Sequence, residues 1–290
     1  MPALDDVTAR DFNEDWICHY LTGISRSEAV ISDTVRRKGF RLFQILKGTF
    51  AVFLVVFLLP VAATSAWWAT LDRPASWRAA NWQSSGVLPP AQEAGAAIHV
   101  LAARTGGLKG ALSVHSWIVI KRPGEANYER YDKVGWGMPI RRNGYPADAH
   151  WYSNRPFFVH TITGEEAERL IPQVEAAIAD YPWSNNGGYR IWPGPNSNSF
   201  VAHVLREVSG IGIRLPPNAT GRDYAPGLAS VRLAPDWRDL HVTLGGLAGF
   251  AVGVRSGLEV HLLGLVAGVD FVNPALKVPA LGSIGLADIW

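Results

Sequence analysis

Hydrophobic and polar positions along the chain fall into three regimes. The first is an apolar run from Gly48 to Leu71, GTFAVFLVVFLLPVAATSAWWATL, which carries no charged residue. A helix needs roughly 20 such residues to cross a bilayer core, so the run predicts a membrane span. Arg36, Arg37, Lys38, Arg41 and Lys47 precede it, and Trp67 and Trp68 mark its far end. The positive-inside bias then puts the N-terminal tail in the cytoplasm and exports the remainder. Pro60 is tolerated in a span, where neighbours and local readjustment satisfy the freed carbonyl. A signal peptide cleaved near Val61-Ala62-Ala63 is the main competitor, but its short n-region does not match the long stretch before this run. Flanking cations around the Phe50–Leu59 run argue against a buried core helix.

The second regime mixes period-2 and helical patterns. Ala96–Arg104 and Ala111–Arg122 (ALSVHSWIVIKR) read as strands, and the second is rich in β-branched residues. Pro123-Gly124-Glu125-Ala126 is the turn to a return strand over Asn127–Trp136. A loop-rich insertion follows over Gly137–Pro156, then a strand over Phe157–Ile162. Thr163-Gly164-Glu165-Glu166 fits a capping box and starts a helix striped with Ala167, Leu170, Ile171, Val174, Ala177 and Ile178. Pro172 inside it predicts a kink or an early break. A second helix is expected from near Ser199, with Phe200, Val201, Val204, Leu205 and Val208 buried and Gly210 as its stop.

The third regime is Gly-rich and apolar, VTLGGLAGFAVGVRSGLEVHLLGLVAGVDFV from Val242. Arg255, Glu259, His261 and Asp270 make a membrane hairpin costly here, so Leu240–Val272 is read as β-hairpins. Glu259 and His261 share one strand face, as a second polar site or an ion pair at a sheet edge. Two ligands fall short of a metal site. Upstream of the span, Phe12, Trp16 and Tyr20 recur at helical spacing in residues 1–35. Residues 72–92 lack a period and read as a linker, with Trp77 and Trp82 directed at the headgroups or packed on the domain.

Composition narrows the classes. At 290 residues with 48% hydrophobic and 18% charged residues, the chain buries a core. A formal charge of +2 gives no reason to propose nucleic acid as a partner. The single cysteine, Cys18, excludes an internal disulfide framework and a Cys-based zinc site. No cofactor and no metal are expected.

Candidate chemistry concentrates in Pro193-Gly194-Pro195-Asn196-Ser197-Asn198-Ser199-Phe200. A rigid turn delivers four small polar side chains to a helix start, where two suffice for a cap and two are surplus. A hydroxyl there gains from the unpaired N–H groups but needs a base. His115, on the face of Ser113, Trp117 and Val119, is the best-placed candidate. Glu129, Tyr131 and Asp132 on the return strand are candidates to orient its ring. The competing reading is a well-capped helix and an ordinary strand histidine. A third is a binding site at Asn196, Ser197, Asn198 and Ser199 beside the aromatic walls Trp117 and Trp192.

The segments HSWIVIK, RYDKVGWG, RRNGYPAD and WPGPNSNSF resemble an uncharacterised bacterial membrane-associated family, domain of unknown function 3750, over roughly residues 95–285. That likeness carries no chemistry. A strand His followed by Asn-Ser-x-x-Phe is also similar, remotely, to circularly permuted NlpC/P60 and lecithin:retinol acyltransferase-like papain folds. There the resemblance puts Ser197 at the nucleophilic Cys position and His115 at the base. Serine is a far weaker nucleophile than a thiolate, so a degenerate site is implied as readily as an active one.

These readings give an α+β protein: a tail (1–47), a transmembrane helix (48–71), a linker (72–94) and an extracytoplasmic domain (95–290). That domain is expected to be papain-like, with a Gly-rich β extension. The expected function is a membrane-anchored envelope protein of the bacterial inner membrane, its main domain periplasmic. It binds a cell-envelope peptide, glycan or lipid at Asn196-Ser197-Asn198. The alternative is a Ser197/His115 hydrolase or acyltransferase, with Glu129 as a weaker third member.

Overall fold

The computed structural model describes residues 36–225, 227–234 and 237–285. The expected N-terminal amphipathic helix and Cys18 lie outside them. The first element, α1, is a continuous helix over Arg36–Thr70 and is long and apolar enough to cross a membrane. It begins well before the uncharged run. A π-helical turn, Leu54–Leu58, sits just ahead of Pro60. Proline lacks an N–H and its ring crowds the carbonyl four residues back, and the widened turn relieves both. Phe50, Val52, Val55 and Leu59 are all exposed. Near the helix end, Trp68 is buried and its indole N–H donates to the Gly107 carbonyl at 2.8 Å. Gly110 has to be glycine there, because a Cβ would come 2.2 Å from the Trp68 ring.

Five strands form the first sheet: β1 (Ala97–Arg104), β2 (Val114–Lys121), β3 (Glu129–Lys133), β4 (Ile140–Arg142) and β5 (Phe157–Thr163), in the order β4-β3-β2-β1-β5. Every neighbouring pair is antiparallel. Two helices, α2 (Gly164–Ala179) and α3 (Ser197–Glu207), cover one face. Val100, Ala102, Ile118 and Ile120 meet Leu170, Val174, Phe200 and Val204 there. The other face is closed by aromatic side chains. Leu101, Trp117 and Val119 pack under Trp151, with Tyr145, Tyr152 and Trp82 around them. This explains why β1 and β2 read as nearly continuous apolar runs: both of their faces are buried.

Two local expectations are corrected. Thr163 does not cap α2 with its side chain. It is the last residue of β5, paired with Ala97, and the ladder holds it extended. Pro172 does not break α2, which runs on to Ala179. The linker also does more than connect. Trp82 lies in the aromatic layer, 5.1 Å from both Tyr145 and Trp151, while the Asp148 carboxylate accepts from the Ser84 hydroxyl at 2.6 Å.

The second sheet is an antiparallel meander of seven strands in chain order: β6 (Ser230–Leu233), β7 (Asp239–Leu244), β8 (Ala248–Gly253), β9 (Gly257–Leu262), β10 (Leu265–Asp270), β11 (Ala275–Val278) and β12 (Gly282–Gly285). Its register is unusual in what it aligns. Leu233, Leu240, Val252, Leu258, Val269, Leu276 and Ile284 form one row across all seven strands. That row faces outward, with Val252, Leu258 and Leu276 exposed. The next row, on the inner face, runs Arg232, His241, Ala251, Glu259, Gly268, Lys277 and Ser283. Apolar side chains point out and charged ones in.

Candidate functional site

Strand alternation sends Ser116, Ile118 and Ile120 of β2 toward the helices, and His115, Trp117 and Val119 toward the aromatic layer. The His115 ring stacks flat on Trp151, with centroids 3.7 Å apart and planes 4° from parallel. Its Nε2 lies 3.5 Å from Asp132 Oδ2, too long for a good hydrogen bond. Asp132 in turn accepts from Arg130 Nη2 at 3.0 Å, and the Arg130 guanidinium lies 4.1 Å from the Trp117 ring centroid. All of these side chains are buried. His115 Nε2, Arg130 Nε, Asp132 Oδ1 and Trp151 Nε1 nonetheless lack hydrogen bonds. Buried polar atoms are nearly always paired, so four unpaired ones in one cluster set this part of the core apart.

Burial pulls the His115 pKa down, Asp132 restores only part of it, and the ring is neutral at neutral pH. For Asp132, burial pushes the carboxyl up. The histidine and Arg130 outweigh it, leaving the group below the usual carboxylate range. With a neutral imidazole beside it, Arg130 is the cation that keeps Asp132 ionised. Glu129, expected as a ring-orienting group, is placed elsewhere. The register pairs Tyr131 with Ile118 and Arg130 with Val119, so Glu129 and Tyr131 share the helix-side face. Glu129 there binds Arg122, Arg142 and the Tyr131 hydroxyl.

The helix that carries the Asn/Ser cluster begins two residues earlier than expected, at Ser197. Trp192–Pro193 and Gly194–Pro195 are both cis, and they deliver Asn196 as the N-cap of α3. Asn196 Oδ1 accepts from the Asn198 and Ser199 N–H groups, and its Nδ2 donates to the Ile191 and Thr220 carbonyls. The Ser199 hydroxyl completes the capping box by accepting from the Asn196 N–H at 2.6 Å. Gly221, with φ +92°, gives this cap its room: a Cβ there would come 2.3 Å from Asn196 Nδ2. Asn198 reaches β2. Its Nδ2 donates to the Val114 carbonyl at 2.9 Å, and its Oδ1 accepts from the Ser116 hydroxyl at 2.8 Å.

The start of α3 is therefore tied to the residues on either side of His115, on the face that His115 turns away from. Among the described residues, no hydrogen bond joins His115 to Ser197 or Ser199. Ser197 is buried at the first helical position, and its hydroxyl is the one polar group of the quartet left out of the cap and the cross-tie. The two aromatic walls also separate. Trp117 is a core residue whose indole donates to the Ala147 carbonyl, whereas Trp192 is half-exposed and donates to Leu263 in the meander.

Sequence reasoning named Asp132 among three candidates but missed its partner Arg130 and the Trp151 stack. RYD in a return strand was the available signal, but the face it occupies depends on register. Of the two readings of Glu259 and His261, an ion pair at a sheet edge is corrected in its placement. They share a face and bond at 3.0 Å, but in the middle strand of the meander and not at an edge. Glu259 there also receives Arg222 at 2.6 Å, with Lys277 on its other oxygen. Gly268 stands between Glu259 and Lys277 in the row, and its missing side chain lets them meet.

Residues 95–224 match the family described as "Protein of unknown function (DUF3750)". The match ends before the meander. No curated protein and no solved structure matches the chain.

Proposed function

With residues 95–224 forming a domain of this uncharacterised family, we propose that the protein is a membrane-anchored envelope domain in which a papain-like nucleophile–base arrangement has lost its catalytic coupling. The observation that carries this reading is the division across β2. His115 is stacked under Trp151 on one face, while α3, with Ser197 at its start, is tied to the other. A general base has to reach the proton it removes, within about 2.6–3.2 Å or somewhat more without substrate. Asn196, Asn198 and Ser199 support the same reading, since their polar groups are spent on the cap and the cross-tie. They hold α3 in place and offer little to a ligand. The cations Arg36, Arg37, Lys38, Arg41 and Lys47 support a cytoplasmic N-terminus and an exported main domain at the bacterial inner membrane.

One observation favours the catalytic alternative, a hydrolase or acyltransferase acting on cell-wall peptide or lipid. The Ser197 hydroxyl is uncommitted at the positive end of a helix, and the His115–Asp132 pair carries unspent hydrogen-bonding capacity. A fluorophosphonate probe separates the two. On the full chain in membranes, no labelling of Ser197 is expected. Labelling at Ser197 that His115→Ala and Asp132→Asn both abolish would establish the enzyme instead.

A further inference from the structure

The far end of α3 differs from its start. Between its last turn, the segment 209–225 and the inner face of the meander lies a cavity of about 360 Å³. Its walls are largely apolar, with Ala202, Leu205, Val208, Ile213 and Leu215 among them. Its charged lining is lopsided: five arginines face two carboxylates, Asp223 and Asp239. Three of the arginines have acidic partners. Arg214 and Arg222 pair with Asp223 and Glu259, and Arg255 pairs with Asp239. His241, also in the lining, is held neutral by burial and by Arg214.

Arg206 and Arg232 are the exceptions. Among the described residues, Arg206 makes a single hydrogen bond, to the Arg222 carbonyl at 3.3 Å, and no carboxylate lies within ion-pair distance of either guanidinium. Burial, followed by repulsion from Arg232, pulls the Arg206 pKa down to about 10, against weaker help from Asp223 and Glu207. Arg206 is half-buried and Arg232 is exposed at the cavity mouth, so solvent screens part of their repulsion, and an anion held between them would relieve the rest.

We propose that this cavity binds a small amphiphilic anion, its carboxylate or phosphate head between Arg206 and Arg232 and its apolar body against Leu205, Val208 and Ile213. Guanidinium groups are the residues of choice for such heads, and the apolar walls reward a hydrocarbon body. The volume sits at the small end of ligand sites, about 300–1,000 Å³, which suits a short single-chain molecule over a two-chain lipid. The inference is independent of whether Ser197 reacts.

The test uses the full chain in phosphatidylcholine nanodiscs, with empty discs as blank and hexyl phosphate as probe in calorimetric titration. Hexyl phosphate is expected to bind, and inorganic phosphate at least roughly tenfold more weakly because it lacks the apolar body. Arg206→Gln combined with Arg232→Gln is expected to weaken hexyl phosphate at least roughly tenfold. Arg232→Gln alone, on an exposed edge strand, is expected to weaken it severalfold and to reduce its stabilising effect on thermal unfolding. No hexyl phosphate binding, equal binding of inorganic phosphate, or unchanged affinity in Arg232→Gln would each overturn the proposal.

Discussion

The two sheets of this protein solve the same problem in opposite ways. The five-stranded sheet buries apolar residues on both faces, helices on one side and an aromatic layer on the other. The meander turns an aliphatic row outward and encloses Glu259, His261 and Lys277 on its inner face. Each sheet holds a buried histidine–carboxylate pair, and the contrast between the pairs is instructive. Glu259 is saturated by Arg222, Lys277 and His261. Asp132 has Arg130 and a distant His115, with one oxygen unpaired. The saturated carboxylate reads as architecture, because both Glu259 oxygens are taken, although His261 Nδ1, like His115 Nε2, has no hydrogen bond. The unsaturated pair reads as the remnant or the core of a site.

Four measurements break or sharpen this contrast. The largest effect is expected from Glu259→Gln, which strips the counter-charge from buried Arg222 and Lys277. Breaking a buried pair costs about 3–5 kcal/mol, read from chemical denaturation. A loss below 1 kcal/mol would show that the inner face is not held by this network. Acid comes next. His99 in β1 has a pKa lowered by burial to about 4, so the fold prefers its neutral form. That contribution is complete above the ordinary value near 6.5 and is lost as pH falls through about 4, about 3 kcal/mol in all. His99→Gln should flatten the stability curve over that window, and an unchanged curve would place the acid sensitivity elsewhere.

Asp132→Asn follows, at about 1–3 kcal/mol, because it leaves one buried guanidinium underpaired where Glu259→Gln leaves several. It should also lower the His115 pKa further, as the carboxylate is what raises it; an NMR titration of the ring reads this directly. The smallest effect is expected on the outward row. Leu258→Ser should change stability by no more than about 0.5 kcal/mol, since the side chain is half in solvent. A loss of several kcal/mol would mean that this aliphatic face is covered in the working protein.

Much of the architecture was legible from local pattern. The uncharged Gly48–Leu71 run, the HSWIVIK strand, the Ala167–Ile178 stripe and the turn before Asn196 each depend on neighbours in sequence, and each marks an element of the expected type, although α1 starts well upstream of its run and α3 two residues early. What failed were the statements about partners. Thr163-x-x-Glu166 has the letters of a capping box, but the strand claims Thr163 first. Asn196-Ser197-Asn198-Ser199 has the letters of a site, but their division into cap, cross-tie and one uncommitted hydroxyl required Val114, Ser116 and Thr220 in place.

The chain by itself determined where helices, strands and turns occur, because propensity, capping and hydrophobic period act over a few residues. It also determined that Glu259 and His261 share a face, since alternation is a property of the strand alone. Only the tertiary structure decided which face is inside. Hydropathy would put Leu258 and Val260 in the core. Arg222, Arg214 and Asp223 approach from the other side, however, and a buried carboxylate such as Glu259 has to face the cations that neutralise it. The choice of Asp132 over Glu129 beside His115 was likewise settled by the hairpin register, which a shift of one residue would reverse.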